Sequence, residues 1–413
     1  MNKLDFERIV ITGIGVVSPC GNSMKEMRKN ILLKKSGVTF VDAQYIGKRP
    51  AGVCSFDELK FQTKKMRNRG TRAGSIAINC ANEAIIDSNI NWEEVDKSRV
   101  GVFLGIAEHG NAETEKELVQ FYTVNEQKIS LFSHQHTFKT IANSPAGEVT
   151  VNLKITGPHF TIGGACAAGN MGLIHGLQQI LLGEVDMALA GGVSESTQSF
   201  GTFAAFLAQG ALASNIDESK ACRPLDINRN GVVIAEGGGV YLLERLSTAK
   251  KRNAKIYGEI VGYHYNSDAG DFVLPSHQRE IECMETAIKK AGLQANEIDL
   301  VNLHATGTEY GDIQECIAVR HVFDNSNNTM INATKGFLGH AMGAASVLEL
   351  TANILSFEDG IIHSSINIDK IDPRCELKNF VYQDHYSKKN IQYILKNSFG
   401  MMGINTTIII KKI

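Results

Sequence analysis

Residues 161–170 read Thr161-Ile162-Gly163-Gly164-Ala165-Cys166-Ala167-Ala168-Gly169-Asn170, followed by apolar residues at Leu173, Ile174, Leu177, Ile180 and Leu181. The spacing of three and four predicts a helix with one buried face. Phe160–Gly163 predicts a strand running into a turn. Cys166 is thus expected on a tight turn at a helix N-terminus. Free N–H groups and the helix dipole there favour the thiolate and lower the thiol pKa. Small neighbours leave room for a substrate carbonyl. A single cysteine in such a place is more often a buried structural one, so other segments must decide its role.

Working outward, short apolar strands alternate with helical patterns along the whole chain. Strands are expected at Arg8–Val17, Val100–Leu104, Asp186–Gly191 and Tyr257–Tyr265, with paired strands in Val232–Leu246 around Glu236-Gly-Gly-Gly239. Leu300–His304, Met330–Thr334, Ile391–Lys396 and Thr406–Ile413 repeat the outline, with a helix at Ala344–Leu355. The alternation predicts an α/β protein with buried sheets. Residues 1–250 and 251–413 read as two α/β halves, with an insertion near 107–147.

Composition narrows the function. Among 413 residues, 42 Lys+Arg face 44 Asp+Glu, a net charge of -2. That balance argues against a polybasic nucleic-acid surface. No apolar run is long enough to span a membrane. The first residues, MNKLDFERIVITGIG, lack the features of an export signal, so a cytoplasmic location is expected. The eight cysteines show no CxxC and no zinc-finger spacing, so reduced thiols and no metal site are expected. Gly13-Ile14-Gly15 is no dinucleotide fingerprint, because Ser18 stands at the third glycine position, and neither a Walker lysine nor HExxH occurs.

Three further segments carry chemistry-bearing residues. Asn302-Leu-His304-Ala-Thr306-Gly-Thr308 puts a histidine at a strand end before a Thr/Gly turn. Asn332-Ala-Thr-Lys335-Gly-Phe-Leu-Gly339-His340-Ala-Met-Gly343 flanks a turn with Lys and His. Asn397-Ser-Phe399-Gly400-Met401-Met402-Gly403-Ile-Asn405 is a turn between strands whose N–H groups can face a ligand. Taken singly these are also a core histidine, a helix cap and a plain hairpin.

Together and in this order, the four segments resemble the β-ketoacyl-acyl-carrier-protein synthases, condensing enzymes of the thiolase fold. Cys222-Arg223-Pro224-Leu225-Asp226, with Arg229 and Gly231, adds to the likeness, as does Glu236-Gly237. The resemblance covers about residues 7–413. It implies a thiolase-like α/β fold, with two duplicated halves layered αβαβα. It implies that Cys166 carries the acyl group and that His304 and His340 serve malonyl decarboxylation. The Cys-His-His set resembles the elongating type. The N–H groups of Cys166 and Met401 would form the oxyanion hole, Lys335 and Glu349 would fix the histidines, and Thr306 and Thr308 would bind the pantetheine arm. The resemblance implies no cofactor of its own, since phosphopantetheine arrives on the acyl carrier protein. The basic run Lys64, Lys65, Arg67 and Arg69 would meet that acidic carrier, although such a run is more often a solvated helix face. A homodimer, or a heterodimer with a chain-length-factor paralogue, is the expected assembly.

The departures bear on substrate. Met401 replaces the aromatic that often gates the acyl tunnel, and His304-Ala-Thr-Gly-Thr308 replaces HGTST. These changes lean towards the ketosynthase of a specialised type II polyketide pathway. The alternative is primary fatty-acid elongation by a β-ketoacyl-acyl-carrier-protein synthase II. A thiolase would carry a second cysteine in the C-terminal glycine turn, and Met401–Gly403 has none.

Overall fold

β1 (Ile9–Val17) is buried along its whole length, as a strand with sheet on both sides and helices on both faces must be. It belongs to a ten-stranded mixed sheet in the computed structural model, which describes residues 7–43, 45–388 and 390–413. The first six residues, part of the stretch read as carrying no export signal, lie outside the described residues. The other nine strands are β2 (Val100–Ile106), β3 (His159–Gly163), β4 (Met187–Ser194), β5 (Gly237–Arg245), β6 (Gly258–Ser267), β7 (Leu300–Asn302), β8 (Met330–Asn332), β9 (Tyr393–Gly400) and β10 (Ile404–Lys411).

Their spatial order is β8-β7-β9-β10-β6-β1-β5-β4-β2-β3. Reading outward from the centre gives β1-β5-β4-β2-β3 on one side and β6-β10-β9-β7-β8 on the other. Each half thus has the same order: first strand, fifth, fourth, second, third. Pairing repeats as well. β5 is antiparallel to β1 and β4, while β2 is parallel to β4 and β3. β10 is antiparallel to β6 and β9, while β7 is parallel to β9 and β8. The halves meet through the short antiparallel β1–β6 pairing, Val10 opposite Glu259 and Ile11 opposite Gly258.

Six helices complete the layers: α1 (Arg72–Asp87), α2 (Ser144–Leu153), α3 (Ala168–Leu181), α4 (His277–Lys290), α5 (Glu309–Phe323) and α6 (Ala345–Ile354). Ile76, Ala77 and Ala84 of α1 and Val149 of α2 pack with Val102, Leu104 and Leu242 on the outer face of the first half. Met284 and Ala287 of α4 and Cys316 and Val319 of α5 pack with Val301, Leu395 and Ile409 on the outer face of the second. Leu173 and Leu177 of α3 and Val347 and Leu350 of α6 share one cluster with Phe103 and Tyr241 from the first half and Ile394 and Ile408 from the second. α3 and α6 are therefore the middle layer, and the αβαβα arrangement follows. Burial of this kind contributes roughly 1.5–3 kcal/mol for each large apolar side chain.

Close contact in that layer needs glycine. A Cβ on Gly172 of α3 would lie 2.0 Å from the carbonyl oxygen of Gly191 in β4. The stretch 232–246, read as paired strands, forms one strand from Gly237. Val232–Glu236 instead makes isolated bridges, including Ile234 to His340. The break falls at Gly237, whose φ of 145° is outside the ordinary strand range. Within 107–147 the chain forms helices at Asn111–Thr123 and His136–Thr140, on which Leu118, Tyr122 and Phe138 stay exposed, as does Ile129 between them.

Candidate active site

Cys166 sits in a single 3₁₀ turn, Ala165–Ala167, directly ahead of α3. Ala165 holds φ at 44°, Ala305 after His304 holds 35°, and Met342 two residues beyond His340 holds 40°. Each reactive side chain is thus flanked by a residue in the left-handed region. That costs on the order of 1–3 kcal/mol at each and marks sites that tertiary packing holds in place. Gly400 has the opposite function: a Cβ there would lie 3.1 Å from both Ala165 Cβ and the Cys166 nitrogen, so glycine lets the β9–β10 turn approach without displacing them.

The three side chains meet. The Cys166 sulfur and one ring nitrogen each of His304 and His340 all lie within 4.8 Å of one another, and all three residues are buried. The imidazole rings are edge to face, with centroids 5.3 Å apart, and Phe399 stands edge-on to His304 at 6.1 Å. His340 is positioned by its own backbone: its N–H donates to Val233 O at 2.7 Å, and its carbonyl accepts from Ala235 N at 2.9 Å. The group opens into a cavity of about 680 Å³, also lined by Thr306, Thr308, Glu280 and Met401. The hydroxyls of Thr306 and Thr308 are 2.9 Å apart.

Behind the histidines lies a buried charge network. Glu349 bridges Lys335 at 2.5 Å and Lys396 at 2.6 Å, and all three side chains are sealed from solvent. Lys335 reaches His304 Nδ1 at 3.3 Å and also donates to its carbonyl oxygen. Lys396 donates to Leu303 O at 3.0 Å, and burial pushes its ammonium down to about 8. Glu315 takes the N–H groups of His304 and Ala305, each at 2.7 Å, while burial pushes its carboxyl up to about 7. Lys396 and Glu315 escaped the sequence reading. A lone lysine inside the apolar run Tyr393-Ile-Leu-Lys396 was the available signal, since an unpaired buried charge is too costly to be incidental.

The Cys166 pKa corrects one expectation. Burial pushes the thiol up to about 11, although Lys335 and the N–H groups of Met401 and Cys166 pull it down. Desolvation of the thiolate outweighs the helix terminus. The two histidines are held well below the usual range, first by burial and then by Lys335, so both are neutral at physiological pH.

The CRPLD segment acts as a brace. Arg229 pairs with Asp372 at 2.8 Å and donates to the carbonyls of Thr308 and Glu309 at 3.1 Å, holding the threonine turn. The basic run forms a short helix, Lys64–Arg69. Lys64, Lys65 and Arg69 are exposed, but Arg67 is half-buried and paired with Glu58, which corrects its place among the free surface cations. Glu58 pairs with Arg72 as well, so this carboxylate ties Arg67 to the helix Arg72–Asp87.

Comparison with known proteins agrees with this geometry. The family model described as Beta-ketoacyl synthase, N-terminal domain, matches residues 6–249, and the C-terminal domain of the same family matches 257–369. The 3-oxoacyl-[acyl-carrier-protein] synthase 2 of Coxiella burnetii is 32% identical, covering 99% of this chain and all of that protein. Synthase 1 of Buchnera aphidicola is 33% identical over 98% of this chain and all of its own. The ishigamide ketosynthase/chain length factor superposes with a TM-score of 0.92 at 28% identity, covering 98% of this chain and 99% of that one. A type II polyketide ketosynthase, solved with its acyl-carrier protein and a hexaketide, gives 0.89 at 28%, covering 98% and 100%. The chain belongs to the β-ketoacyl synthase family of condensing enzymes.

Proposed function

We propose that this chain joins an acyl group held on Cys166 to malonyl-acyl carrier protein, with loss of carbon dioxide. The observation that carries the residue roles is the convergence of the Cys166 sulfur, the His304 and His340 ring nitrogens and two backbone N–H groups on one buried cavity. In the first half-reaction the Cys166 sulfur attacks an acyl thioester. The carrier thiol leaves and takes the proton that the cysteine gives up. The Cys166 and Met401 N–H groups stabilise the oxyanion.

In the second half-reaction the bond from the malonyl methylene to its carboxylate breaks, and its electrons form an enolate on the thioester oxygen. His304 and His340 donate hydrogen bonds to that oxygen. Only a donor serves here, and Lys335 supplies the condition for His304. An ammonium has no acceptor, so Nδ1 of His304 accepts and Nε2 carries the proton. Carbon dioxide departs, the methylene carbon then attacks the acyl carbonyl, and the Cys166 thiolate leaves and takes a proton from solvent water. By donor type, a cysteine with two histidines also suits a soft divalent metal. The ammonium groups of Lys335 and Lys396 nearby disfavour a cation, which supports the catalytic reading.

Two pathways fit this chemistry. Fatty-acid elongation is supported by the named activities of the Coxiella and Buchnera relatives, and polyketide synthesis equally by the solved neighbours. The exposed apolar side chains on 111–141, together with the exposed Phe160 on edge strand β3, support pairing with a second copy or a paralogue. No helix among the described residues is long and apolar enough to cross a membrane. We read the enzyme as cytoplasmic and without a resident cofactor, its pantetheine arm arriving on the carrier.

The test is intact-protein mass spectrometry with acyl- and malonyl-carrier proteins. Acyl mass on Cys166, followed by a β-ketoacyl carrier product two carbons longer, is expected. Acylation elsewhere, or none, overturns the reading. The acyl chains accepted, saturated or conjugated, separate the pathways.

A further inference from the structure

Glu280 lines the same cavity as Cys166, His304 and Thr306, yet its role is unaccounted for. It lies in the first turn of α4, is 1% exposed, and its Oε2 is buried without a hydrogen-bond partner among the described residues. A buried polar atom left without a partner costs on the order of 1–3 kcal/mol, so a fold keeps one where something else repays it. The first turn of a helix favours an acidic side chain, yet among the described residues no N–H donates to Oε2, so its hydrogen-bonding capacity is unused. Its charged neighbours are Glu315 on α5 and Asp268 beyond β6, and both are acidic.

Most polar side chains next to it have partners of their own. Glu315 is spent on the N–H groups of His304 and Ala305. Asn405 donates to Asn266 and Asp268. The Thr306 and Thr308 hydroxyls bond one another, which leaves one O–H for the arm itself. Val273, Leu274, Pro275, Phe399 and Met401 add apolar wall. Glu280 is therefore a buried carboxyl in this pocket with hydrogen-bonding capacity left for a ligand, as His340 Nδ1 has on the catalytic side.

We propose that the Glu280 carboxyl is a recognition group for an amide of the carrier's pantetheine arm as the arm threads the cavity towards Cys166. This rests on the condensing-enzyme reading above. Burial, with Glu315 and Asp268 close by, holds the carboxyl well above the usual carboxylate range, so it is a neutral acid with an O–H to donate. An amide carbonyl is a neutral acceptor that completes this donor. A hydrocarbon chain offers it nothing, and a phosphate would meet Glu315 and Asp268 as like charges. The arm carries two secondary amides between its phosphate and its sulfur.

The experiment measures acylation of Cys166 by two thioesters of one acyl group, hexanoyl-pantetheine and the amide-free S-hexyl thiohexanoate. Wild type, Glu280→Gln and Glu280→Leu are followed by mass spectrometry. Glu280→Leu is expected to lose about tenfold in kcat/KM on the pantetheine ester, mostly through KM, the size set by one hydrogen bond. On the amide-free ester it is expected to stay within about twofold. Glu280→Gln keeps a donor and is expected to stay near wild type on both. Glu280→Leu is expected to melt no lower than wild type, and Glu280→Met replaces it if it does not fold. Unchanged use of the pantetheine ester by the apolar variant, or equal losses on both esters, overturns the proposal. Failure of wild type to acylate Cys166 with either ester overturns the condensing-enzyme reading itself.

Discussion

Nζ of Lys335 lies 3.3 Å from Nδ1 of His304. Glu349 holds that ammonium in place, and Glu349 is itself held by Lys396. One buried carboxylate thus serves two lysines, and one of these sets the histidine's tautomer. Three charges sealed from water are stable only as a network. Removing one member leaves an uncompensated charge, which is far more costly than the pair is worth.

Lys335→Met is therefore expected to lose condensation on the order of 100-fold, the scale of one positioned acid–base group. The pH profile gives a sharper check. His304 is held below its usual range first by burial and then by Lys335. A lowered folded pKa keeps the ring neutral until the solution is well acid. Without the ammonium the pKa rises, so the acid limb of kcat/KM is expected to move to higher pH. A limb that stays in place contradicts the tautomer argument.

Cys166→Ala is expected to abolish acyl-enzyme formation, and mass spectrometry checks it. The thiol, at about 11, is mostly protonated in the free enzyme. Alkylation by iodoacetamide is thus expected to rise about tenfold per pH unit between pH 7 and 10. A rate already level at pH 7 would show a preformed thiolate.

His304→Ala and His340→Ala are each expected to lose condensation by about 100-fold or more, while acylation of Cys166 falls far less. Single-turnover assays of the two half-reactions separate these effects. Equal loss in both half-reactions would assign the histidines to thiol activation.

The exposed cations Lys64, Lys65 and Arg69 remain the carrier-facing candidates, now without Arg67. Reversing Lys64 and Lys65 to Glu is expected to raise KM for the carrier-bound substrate several-fold, and less so at high salt. A small pantetheine thioester should be unaffected. Equal effects on both substrates would return the helix to a solvated face.

Met401→Phe is expected to narrow the acyl groups accepted while sparing short ones. Methionine lines the cavity and clears it by a rotamer change costing about 1 kcal/mol, and a rigid ring has no such freedom. A panel of acyl carriers from acetyl to long conjugated chains is the check. An unchanged chain-length profile removes Met401 as a gate.

Cys166, His304, His340 and Lys335 were legible in the chain itself, because each stands in a local string of glycine and small residues that a turn beside a reactive group requires, whereas Glu349, inside a helix, was picked out by the family resemblance. The alternation of strands and helices was legible for the same local reason, since periodicity is written in neighbouring residues. What only the tertiary structure decided involves partners far apart in sequence. The strand order that repeats across the two halves depends on which strands lie side by side. The pairing of Arg67 with Glu58 and of Lys396 with Glu349, and the isolation of Glu280, depend on what folds against each. The Cys166 pKa shows why the two levels differ. The helix N-terminus that lowers it is local and readable, whereas the burial that raises it is the sum of every segment packed around the sulfur, and here the sum is larger.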